Sequence, residues 1–341
     1  MSSLNPLSPR PVAILGAGGW GTALAVLLAG KGLPVRLWEY RPEAAERLSR
    51  ERENRDFLPG VPLPEALAVD HDAARCLDGA GLVLLAIPSQ YARGALENIV
   101  AHIPPEALIV NAAKGVEEGT LKRMSEVAAD LVPGVLESRY AALSGPSHAE
   151  EVARGIPTTV VAASHSLDTA RRVQEIFFTP TFRVYASQDV VGVELGGALK
   201  NVIAVAAGMC DGLGFGDNTK GALLTRGLAE MARLGVQLGG QPHTFAGLSG
   251  MGDLITTCMS RHSRNRYVGE QVGKGKPLDE VLASMSMVAE GVRTSRSARH
   301  LARREGVPMP ITEAVHAILF EAKDPKRAVT ELMTRDLKVE D

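Results

Sequence analysis

Lys200 is the residue whose type and surroundings most directly suggest proton transfer. It lies in an apolar segment, residues 193–204, that has a helical pattern, with Gly196 and Gly197 one turn earlier on the same face. Because helical side chains lean toward the N-terminus, we interpret the two glycines as open space for the ammonium group. Partial burial makes a lysine easier to deprotonate, which suits general acid/base catalysis. A lysine that reaches solvent along its stem is the alternative, but the adjacent Asn201 and the glycine pair favour catalysis.

A second polar cluster lies further along the chain, in a predicted loop. Asp253 could hold Lys200 in place or share its proton. Arg264 and Asn265 offer planar donor groups that suit a phosphate or a carboxylate. Spacing alone leaves a solvated basic turn over residues 261–266 as an equal alternative.

Two further segments carry polar residues directly after predicted strands. One is Asn111-Ala-Ala-Lys114-Gly115 and the other is Ser144-Gly145-Pro146-Ser147. Ligands of open α/β sheets bind at the carboxyl ends of the strands, so we expect both segments at the rim of an active site. An ordinary surface lysine remains the alternative for Lys114, because most lysines are exposed.

A dinucleotide-binding fingerprint lies near the N-terminus. Gly16, Gly18 and Gly21 form Gly-x-Gly-x-x-Gly between a predicted strand and a predicted helix. The first glycine permits the tight turn, the second lets the backbone approach a pyrophosphate, and the third allows close packing of helix on strand. The free amides and the positive end of the helix then face the phosphates. A glycine-rich turn without a ligand is the less favoured alternative, and Trp20 is expected to pack beside the turn.

The end of the next predicted strand gives mixed signals on cofactor preference. Glu39 lies near the expected distance, about 20 residues on, for a carboxylate that binds the ribose diol and repels a 2′-phosphate. Tyr40 and Arg41 follow at once, and an arginine there can stack on adenine or neutralise that phosphate. Strand alternation puts Glu39 and Tyr40 on opposite faces only if the strand extends to them.

The elements that would position these residues form two patterns along the chain. Up to residue 185, short apolar runs alternate with amphipathic stretches, which predicts an α/β, doubly wound parallel sheet with helices on both faces. The predicted strands are 12–15, 35–38, 82–87, 108–110, 141–143 and 158–162. After residue 188 the patterns are helical, at 189–210, 218–238, 278–285, 293–305 and 311–321. We therefore predict a Rossmann domain at 1–187 and an all-helical substrate and catalytic domain at 188–341.

Composition restricts the class of protein. The chain has 341 residues, enough for two domains, and 37 Lys plus Arg against 39 Asp plus Glu give a net charge of −2. That balance argues against nucleic-acid binding through bulk charge.

The three cysteines have no paired spacing and residues 1–10 lack an apolar signal region, so we expect a cytoplasmic protein without a metal site. Residues 190–209 are long enough to cross a membrane, but charges near their middle favour a buried helix.

Taken together, these segments resemble the bacterial NAD(P)-dependent glycerol-3-phosphate dehydrogenases, over roughly residues 10–335. The matching motifs are, in order, Gly16-Ala-Gly-Gly-Trp-Gly21-Thr, Asn111-Ala-Ala-Lys-Gly115, Ser144-Gly-Pro-Ser147, Glu194-Leu-Gly-Gly-Ala-Leu-Lys-Asn201, Gly252-Asp253-Leu and Ser263-Arg-Asn-Arg266. The resemblance implies an oxidoreductase that interconverts dihydroxyacetone phosphate and sn-glycerol 3-phosphate and feeds glycerophospholipid synthesis. It also implies a helical second domain like that of 6-phosphogluconate dehydrogenase, a homodimer, and use of both NADH and NADPH.

The resemblance assigns roles residue by residue. Lys200 matches the proton acceptor, and we expect Lys200, Asp253 and Lys114 to form the catalytic group. The matching substrate positions are Lys114, Gly145, Ser147, Lys200, Asn201, Asp253, Ser263, Arg264 and Asn265. The matching cofactor positions, beside the fingerprint glycines Gly16, Gly18 and Gly21, are Gly19, Trp20, Tyr40, Arg41, Lys114, Ala149, Arg264, Val288 and Glu290. Several relatives carry Ser-Tyr or Ser-Trp where this chain has Gly19-Trp20, and threonine where it has Ser147, changes that affect only fine contacts.

The predicted mechanism is hydride transfer to C2 of dihydroxyacetone phosphate while protonated Lys200 donates to the developing alkoxide. Arg264 and Asn265 would hold the phosphate. A β-hydroxyacid or 6-phosphogluconate dehydrogenase would share both domains but should differ at Asp253, Arg264 and Asn265. A non-catalytic NAD(H) sensor would need no buried lysine beside two glycines, and binding to DNA would need a basic stripe that this chain lacks.

Overall fold

The computed structural model describes residues 10–285, 287–337 and 339–340. Its strands, in chain order, are β1 Val12–Leu15, β2 Val35–Trp38, β3 Leu67–Asp70, β4 Leu82–Leu85, β5 Leu108–Asn111, β6 Tyr140–Ser144, β7 Thr158–Ala163 and β8 Phe182–Ser187. They form one eight-stranded sheet in the order β3-β2-β1-β4-β5-β6-β7-β8. Neighbouring strands run parallel except β6 and β7, which are antiparallel. The predicted α/β sheet is confirmed, and the antiparallel β7 is the departure from a wholly parallel arrangement.

Eight α-helices accompany the strands of this part. They are α1 Gly19–Gly30, α2 Pro42–Glu51, α3 Ala73–Leu77, α4 Ser89–Ile99, α5 Met124–Leu131, α6 Val135–Ser138, α7 Ala149–Ala153 and α8 Leu167–Phe177. Every residue of β1, β4 and β5 is buried. Strands covered on both faces need continuous apolar runs, which is why these three could be predicted.

The sequence pattern does not predict two strands, β3 and β8, which lie at the two edges of the sheet. Both are only partly buried, and in β8 buried and exposed side chains alternate over the first four residues. A half-exposed strand has no continuous apolar run, so its signal is weaker than that of a central strand.

After β8 the described residues form helices alone. They are α9 Val190–Gly212, α10 Asp217–Gln237, α11 Pro242–Ala246, α12 Asp253–Met259, α13 Arg264–Gly273, α14 Leu278–Ala283, α15 Glu290–Arg304, α16 Pro310–Phe320 and α17 Pro325–Met333, with a π-helical turn at Leu248–Gly252. The predicted loop around Asp253 and Arg264 is therefore wrong. Both residues begin helices, and these helices are too short to show a clear apolar period.

The long helix α9 forms the core of the helical part. Helices α10, α12, α13 and α15 pack against it, and 89% of its most apolar 18-residue window is buried within the protein. Where α9 crosses α13, a Cβ on Gly208 or on Gly269 would overlap a backbone carbonyl of the other helix. This helix is the one described helix long and apolar enough to cross a membrane. Its burial agrees with the predicted core helix.

Glu194 binds the start of α9 to α5 and to strand β6 of the sheet. Its carboxylate accepts hydrogen bonds from the backbone N–H of Ser125 (2.8 Å), the hydroxyl of Ser125 (2.6 Å) and the hydroxyl of Tyr140 (2.6 Å). The guanidinium of Arg123 lies 3.2 Å away. Burial raises the pKa of Glu194, although Arg123 and these donors oppose the shift. Because Lys200 is on the same helix, these contacts also set its position relative to the sheet.

Candidate active site

A cleft of about 1090 Å³ lies between the carboxyl ends of β1, β2, β4 and β5 and the helical part. Its walls contain nearly every residue to which the sequence assigned a role. They are Gly16, Gly18, Gly19, Trp20, Tyr40, Arg41, Lys114, Ser147, Ala149, Lys200, Asn201, Asp253, Ser263, Arg264, Asn265, Val288 and Glu290. Of the assigned residues, Gly21 and Gly145 do not line the cleft, and at both a Cβ would lie too close to neighbouring backbone atoms.

The glycine turn leaves room for a diphosphate. Gly16 has φ +113°, and a Cβ there would lie 2.8 Å from the carbonyl oxygen of Ala86. A Cβ on Gly21 would overlap the carbonyl oxygen of Gly16, so α1 could not begin so close to β1. A Cβ on Gly18 would meet no atom within 4 Å. Gly18 therefore borders open space beside the free amides that begin α1, which is the arrangement an anion needs.

Trp20 and Gly19 connect this turn to its surroundings. Trp20 is half-buried and packs on two apolar clusters beside α1, as the sequence predicts, while also lining the cleft. A Cβ on Gly19 would lie 2.7 Å from the carbonyl oxygen of Phe57 and 3.8 Å from the Cβ of Ala149. The segment around Phe57 therefore packs directly on the turn.

Glu39 and Arg41 form an ion pair just beyond β2, which ends at Trp38. Glu39 is buried, and its Oε1 accepts hydrogen bonds from the backbone N–H (3.2 Å) and the Nε (2.8 Å) of Arg41. The Cζ atom of Arg41 lies 5.4 Å from the ring centroid of the exposed Tyr40. Strand alternation therefore does not decide which side chain faces the cleft, because all three line it.

Asp253 joins two lysines deeper in the cleft. The Nζ of Lys200 donates to its Oδ1 (2.9 Å), and the Nζ of Lys114 donates to its Oδ2 (2.8 Å). Lys200 also donates to the Oγ1 of Thr257 (2.6 Å), and Lys114 to the carbonyl oxygen of Gly145 (2.9 Å). Lys200 is 5% exposed and the side chain of Lys114 is 16% exposed, so neither is a solvated surface lysine.

Burial gives Lys200 a pKa at which its proton can be exchanged near neutral pH. Burial lowers the pKa of Lys200 to about 8, a shift that Asp253 opposes and Lys114 assists. Burial by itself would raise the pKa of Asp253, but the two lysines outweigh it and the pKa lies below its usual value. Asp253 therefore stays ionised near neutral pH, while Lys200 can gain and lose a proton there.

The interpretation of the glycines before Lys200 as open space is wrong. A Cβ on Gly196 would lie 2.6 Å from the carbonyl oxygen of Ser249, and one on Gly197 would lie 2.6 Å from the hydroxyl oxygen of Ser144. Protein atoms fill the space beside both glycines, which let the π-helical turn and the end of β6 approach α9. The ammonium group extends instead toward α12.

Two buried asparagines in the wall of the cleft link three helices. The Nδ2 of Asn265 donates to the Oδ1 of Asn201 (2.8 Å), and the backbone N–H of Gly291 donates to the Oδ1 of Asn265 (2.8 Å). The Nδ2 of Asn201 lies 3.3 Å from the carbonyl oxygen of Gly197. These bonds tie α9, α13 and the start of α15 together.

The segment around Arg264 is the start of α13, not a solvated basic turn. The hydroxyl of Ser263 accepts a hydrogen bond from the backbone N–H of Arg266 (3.2 Å) and so caps the helix. Ser263 and Asn265 are buried, whereas the Arg264 side chain is exposed and lines the cleft. The guanidinium and the free amides of the first turn together suit an anion.

The remaining assigned residues lie around the same cleft. Gly145 has φ +146°, and its carbonyl oxygen accepts a hydrogen bond from the hydroxyl of Ser147 (2.9 Å). Glu290 begins α15 and accepts hydrogen bonds from the backbone N–H (3.0 Å) and the hydroxyl (2.8 Å) of Ser89. Val288 is half-buried just before it. Glu290 thus connects the helical part to the start of α4.

Sequence reasoning missed Thr257, Ser89 and Asn54. Thr257 lies one helical turn after Asp253, so its contact with Lys200 could have been found had α12 been predicted. Ser89 and Asn54 contact Glu290 and the glycine turn across long stretches of chain. No local pattern marks such a contact.

Two sequence models of one family match the chain. The N-terminal model of NAD-dependent glycerol-3-phosphate dehydrogenase matches residues 11–170, and the C-terminal model matches residues 189–330. The chain belongs to this family. Its members are NAD(P)-dependent oxidoreductases, and the cleft described above is therefore the candidate active site of an enzyme of this class.

Individual relatives agree with this assignment over nearly the whole length. The chain is 56% identical over 330 residues to glycerol-3-phosphate dehydrogenase (NAD(P)+) of Chlorobium limicola, covering 96% of this chain and 99% of that protein. It is 55% identical over 329 residues to the enzyme of the same name from Citrifermentans bemidjiense, covering 96% and 98%. The crystal structure of glycerol-3-phosphate dehydrogenase from Coxiella burnetii matches with a TM-score of 0.91 at 39% identity, covering 96% and 99%.

Replacing Asp253 with asparagine should destabilise the protein in a pH-dependent way. Asp253→Asn leaves two lysines near one another without their shared counter-ion, and breaking such a buried pair costs about 3 kcal/mol or more. Loss of the carboxylate also lowers the pKa of Lys200 below about 8, because Asp253 raises it. The variant's deficit in unfolding free energy should therefore shrink as pH rises toward 8, because between the lowered pKa and the wild-type value of about 8 only the variant gains stability, and it should be constant above that pH. Urea unfolding at pH 6 and pH 8.5 measures this, and a deficit that is equal at both pH values or larger at pH 8.5 contradicts it.

Proposed function

We propose that this protein interconverts dihydroxyacetone phosphate and sn-glycerol 3-phosphate, using NADH or NADPH in the reductive direction. The observation that carries the proposal is the pair of lysines bridged by Asp253, in the same cleft as the glycine turn. The substrate is inferred from the relatives, which are glycerol-3-phosphate dehydrogenases. An assay of NAD(P)H oxidation with dihydroxyacetone phosphate tests it directly.

The residues of the cleft fit a nicotinamide dinucleotide. The open space at Gly18 and the amides that begin α1 would hold the diphosphate. The Glu39–Arg41 pair and Tyr40 would contact the adenosine end, and the remaining cofactor positions, Ala149, Lys114, Arg264, Val288 and Glu290, line the rest of the cleft. When bound, the reduced nicotinamide supplies the hydride.

The residues around Lys200 supply the proton and stabilise the developing charge. Protonated Lys200 donates to the carbonyl oxygen of the substrate as that oxygen becomes an alkoxide, and neutral Lys200 accepts the alcohol proton in reverse. Lys114 adds a second positive group near the same oxygen, which stabilises negative charge most where it develops most. Asp253 holds both ammonium groups in place, so little reorganisation is needed during the reaction.

The substrate phosphate is proposed to bind at the start of α13. Arg264 lines the cleft and begins α13, and the first amides of a helix have no carbonyl partner within the helix. A guanidinium suits a phosphate because its planar donors match the oxygens. Asn265, Ser263, Ser147 and Asn201 would orient the rest of the substrate.

We also propose the organisation predicted from the sequence, with a cofactor-binding domain at 1–187 and a catalytic domain at 188–341. A cytoplasmic homodimer that feeds glycerophospholipid synthesis is part of the same proposal. The buried free thiols of Cys76, Cys210 and Cys258 support a reducing compartment. Sedimentation of the purified protein tests the dimer.

Lys200→Met should retain the fold and cofactor binding but lower kcat by roughly 100-fold or more, the scale of a lost general acid. In wild type, kcat/KM for reduction should fall above pH 8, because protonated Lys200 is required and its pKa is about 8. In the oxidative direction kcat/KM should rise up to that pH, because the neutral form is required. Lys326→Met, on the exposed face of α17, is the matched control. Near-normal turnover in Lys200→Met would contradict the assignment of Lys200 as the general acid.

Arg264→Ala should lower kcat/KM for dihydroxyacetone phosphate by the equivalent of about 2–4 kcal/mol, because a charge-assisted contact to the phosphate is lost. With unphosphorylated dihydroxyacetone the loss should be far smaller. Arg261→Ala, which removes an exposed arginine from the preceding turn, is the control. Equal losses with both substrates would show that Arg264 serves the cofactor or the fold instead.

Arg41→Ala should impair use of NADPH more than use of NADH. The variant removes the positive partner for a 2′-phosphate and leaves the Glu39 carboxylate to repel it. We expect kcat/KM with NADPH to fall at least about tenfold and the value with NADH to change by less than about threefold. Arg50→Ala on the exposed face of α2 is the control. If both cofactors suffer equally, Arg41 does not contact the 2′-phosphate and Glu39 becomes the selecting residue.

A further inference from the structure

Asn54 holds the glycine turn from its inner side. It lies between α2 and β3 and is 2% exposed. Its Nδ2 donates to the carbonyl oxygen of Ala17 (2.8 Å) and to the hydroxyl oxygen of Thr22 (2.8 Å). The Thr22 hydroxyl lies 3.4 Å from the same carbonyl oxygen. Because a carbonyl oxygen can only accept, the amide nitrogen of Asn54 must face the turn.

The effect of this contact reaches the other side of the same peptide bond. In a planar trans peptide the C=O and N–H groups point in opposite directions. The carbonyl of Ala17 is directed into the protein, so the N–H of Gly18 is directed away from it. Gly18 borders the open space of the cleft. The N–H of Gly18 is thus presented where the proposed cofactor diphosphate needs a donor.

The backbone at this position needs such a restraint. Gly18 lacks a Cβ and tolerates φ of either sign, so sterics oppose rotation of the Ala17–Gly18 peptide only weakly. Half a turn of that peptide would replace an N–H donor with a carbonyl oxygen, which repels a phosphate. The hydrogen bond from Asn54 opposes this rotation, because a flipped peptide would leave the buried side-chain N–H of Asn54 without the Ala17 carbonyl as acceptor.

Asn54 is itself rigidly placed. Its main-chain carbonyl oxygen accepts hydrogen bonds from the backbone N–H of Leu58 (2.7 Å) and of Phe57 (3.3 Å), which close a tight turn. Leu58 is 1% exposed and belongs to a small apolar cluster with Ala23 of α1. The donor and the turn that it holds are therefore anchored on the same helix.

We propose that Asn54 is a positioning residue that keeps the Ala17–Gly18 peptide from flipping and so keeps the Gly18 N–H available to the cofactor diphosphate. This inference rests on the proposed placement of the diphosphate at the glycine turn. It assigns Asn54 an effect on ligands that contain a diphosphate, and none on the adenosine end alone.

The test compares two inhibitors that compete with NADH: ADP-ribose, which contains a diphosphate, and adenosine, which does not. Asn54→Leu removes both donors at similar volume. We expect it to raise the Ki of ADP-ribose and the KM of NADH by about 10- to 100-fold, the value of one hydrogen bond to a charged group. The Ki of adenosine should stay within about twofold, and kcat at saturating NADH within about threefold.

Thr22→Val is the matched control, because Thr22 is equally buried but the bond between Asn54 and Ala17 survives its replacement. This variant should lower the melting temperature while the Ki of ADP-ribose stays within about threefold. In ¹⁵N spectra, ADP-ribose should shift the Gly18 amide of wild type and of Thr22→Val, but not that of Asn54→Leu. A merely structural role of Asn54 would not separate these readouts.

An unchanged Ki for ADP-ribose in Asn54→Leu, or equal losses with adenosine, overturns the inference. If Asn54→Leu does not fold, Asn54→Ala is measured in the same way, because it removes the donors without adding a charge or filling the site. If ADP-ribose does not compete with NADH in wild type, the proposed cofactor placement fails. If ADP-ribose competes with NADH in wild type but its Ki is the same in Asn54→Leu and in Thr22→Val, only the proposed role of Asn54 fails.

Discussion

The buried carboxylate of Asp253, held between two ammonium groups, is the interaction on which the arrangement of the cleft depends. Asp253 begins α12, Lys200 lies on α9, and Lys114 follows β5, so the network joins both parts of the chain. Two largely buried lysines alone would repel each other, and the ionised acid between them makes their proximity stable. The two lysines therefore reach these positions only when the sheet and the helices are packed correctly against each other.

Helix α9 is fixed independently at both ends, which gives this network its accuracy. Near its start Glu194 binds Ser125 and Tyr140 on the sheet side. Near its end Gly208 allows α13 to cross at close range. Because α9 is buried among other helices, a shift along its axis would break both contacts at once. The position of Lys200 follows from packing over the whole helix as much as from its own hydrogen bonds.

The parts of this site that the sequence could predict are those whose signal is local. The glycine turn is marked by three glycines between a strand and a helix, and Lys200 stands out because a charge interrupts an apolar helix. The spacing of Gly196 and Gly197 was visible, but their purpose was not, because what approaches a glycine comes from elsewhere in the chain. The same reason hid Asn54. Edge strands and short helices such as α12 were missed because partial burial leaves no regular apolar period.

The two ends of the cleft use a carboxylate in the same way but with opposite chemical results. At one end Glu39 holds Arg41, and at the other Asp253 holds Lys200. The pKa of Arg41 is raised, mainly by its hydrogen bond to Glu39, so this partly exposed group stays charged and can only bind. Burial lowers the pKa of Lys200 to about 8, although Asp253 opposes the shift. Depth in the protein therefore separates a group suited to recognition from one suited to proton transfer, and burial rather than the shared counter-ion makes the difference.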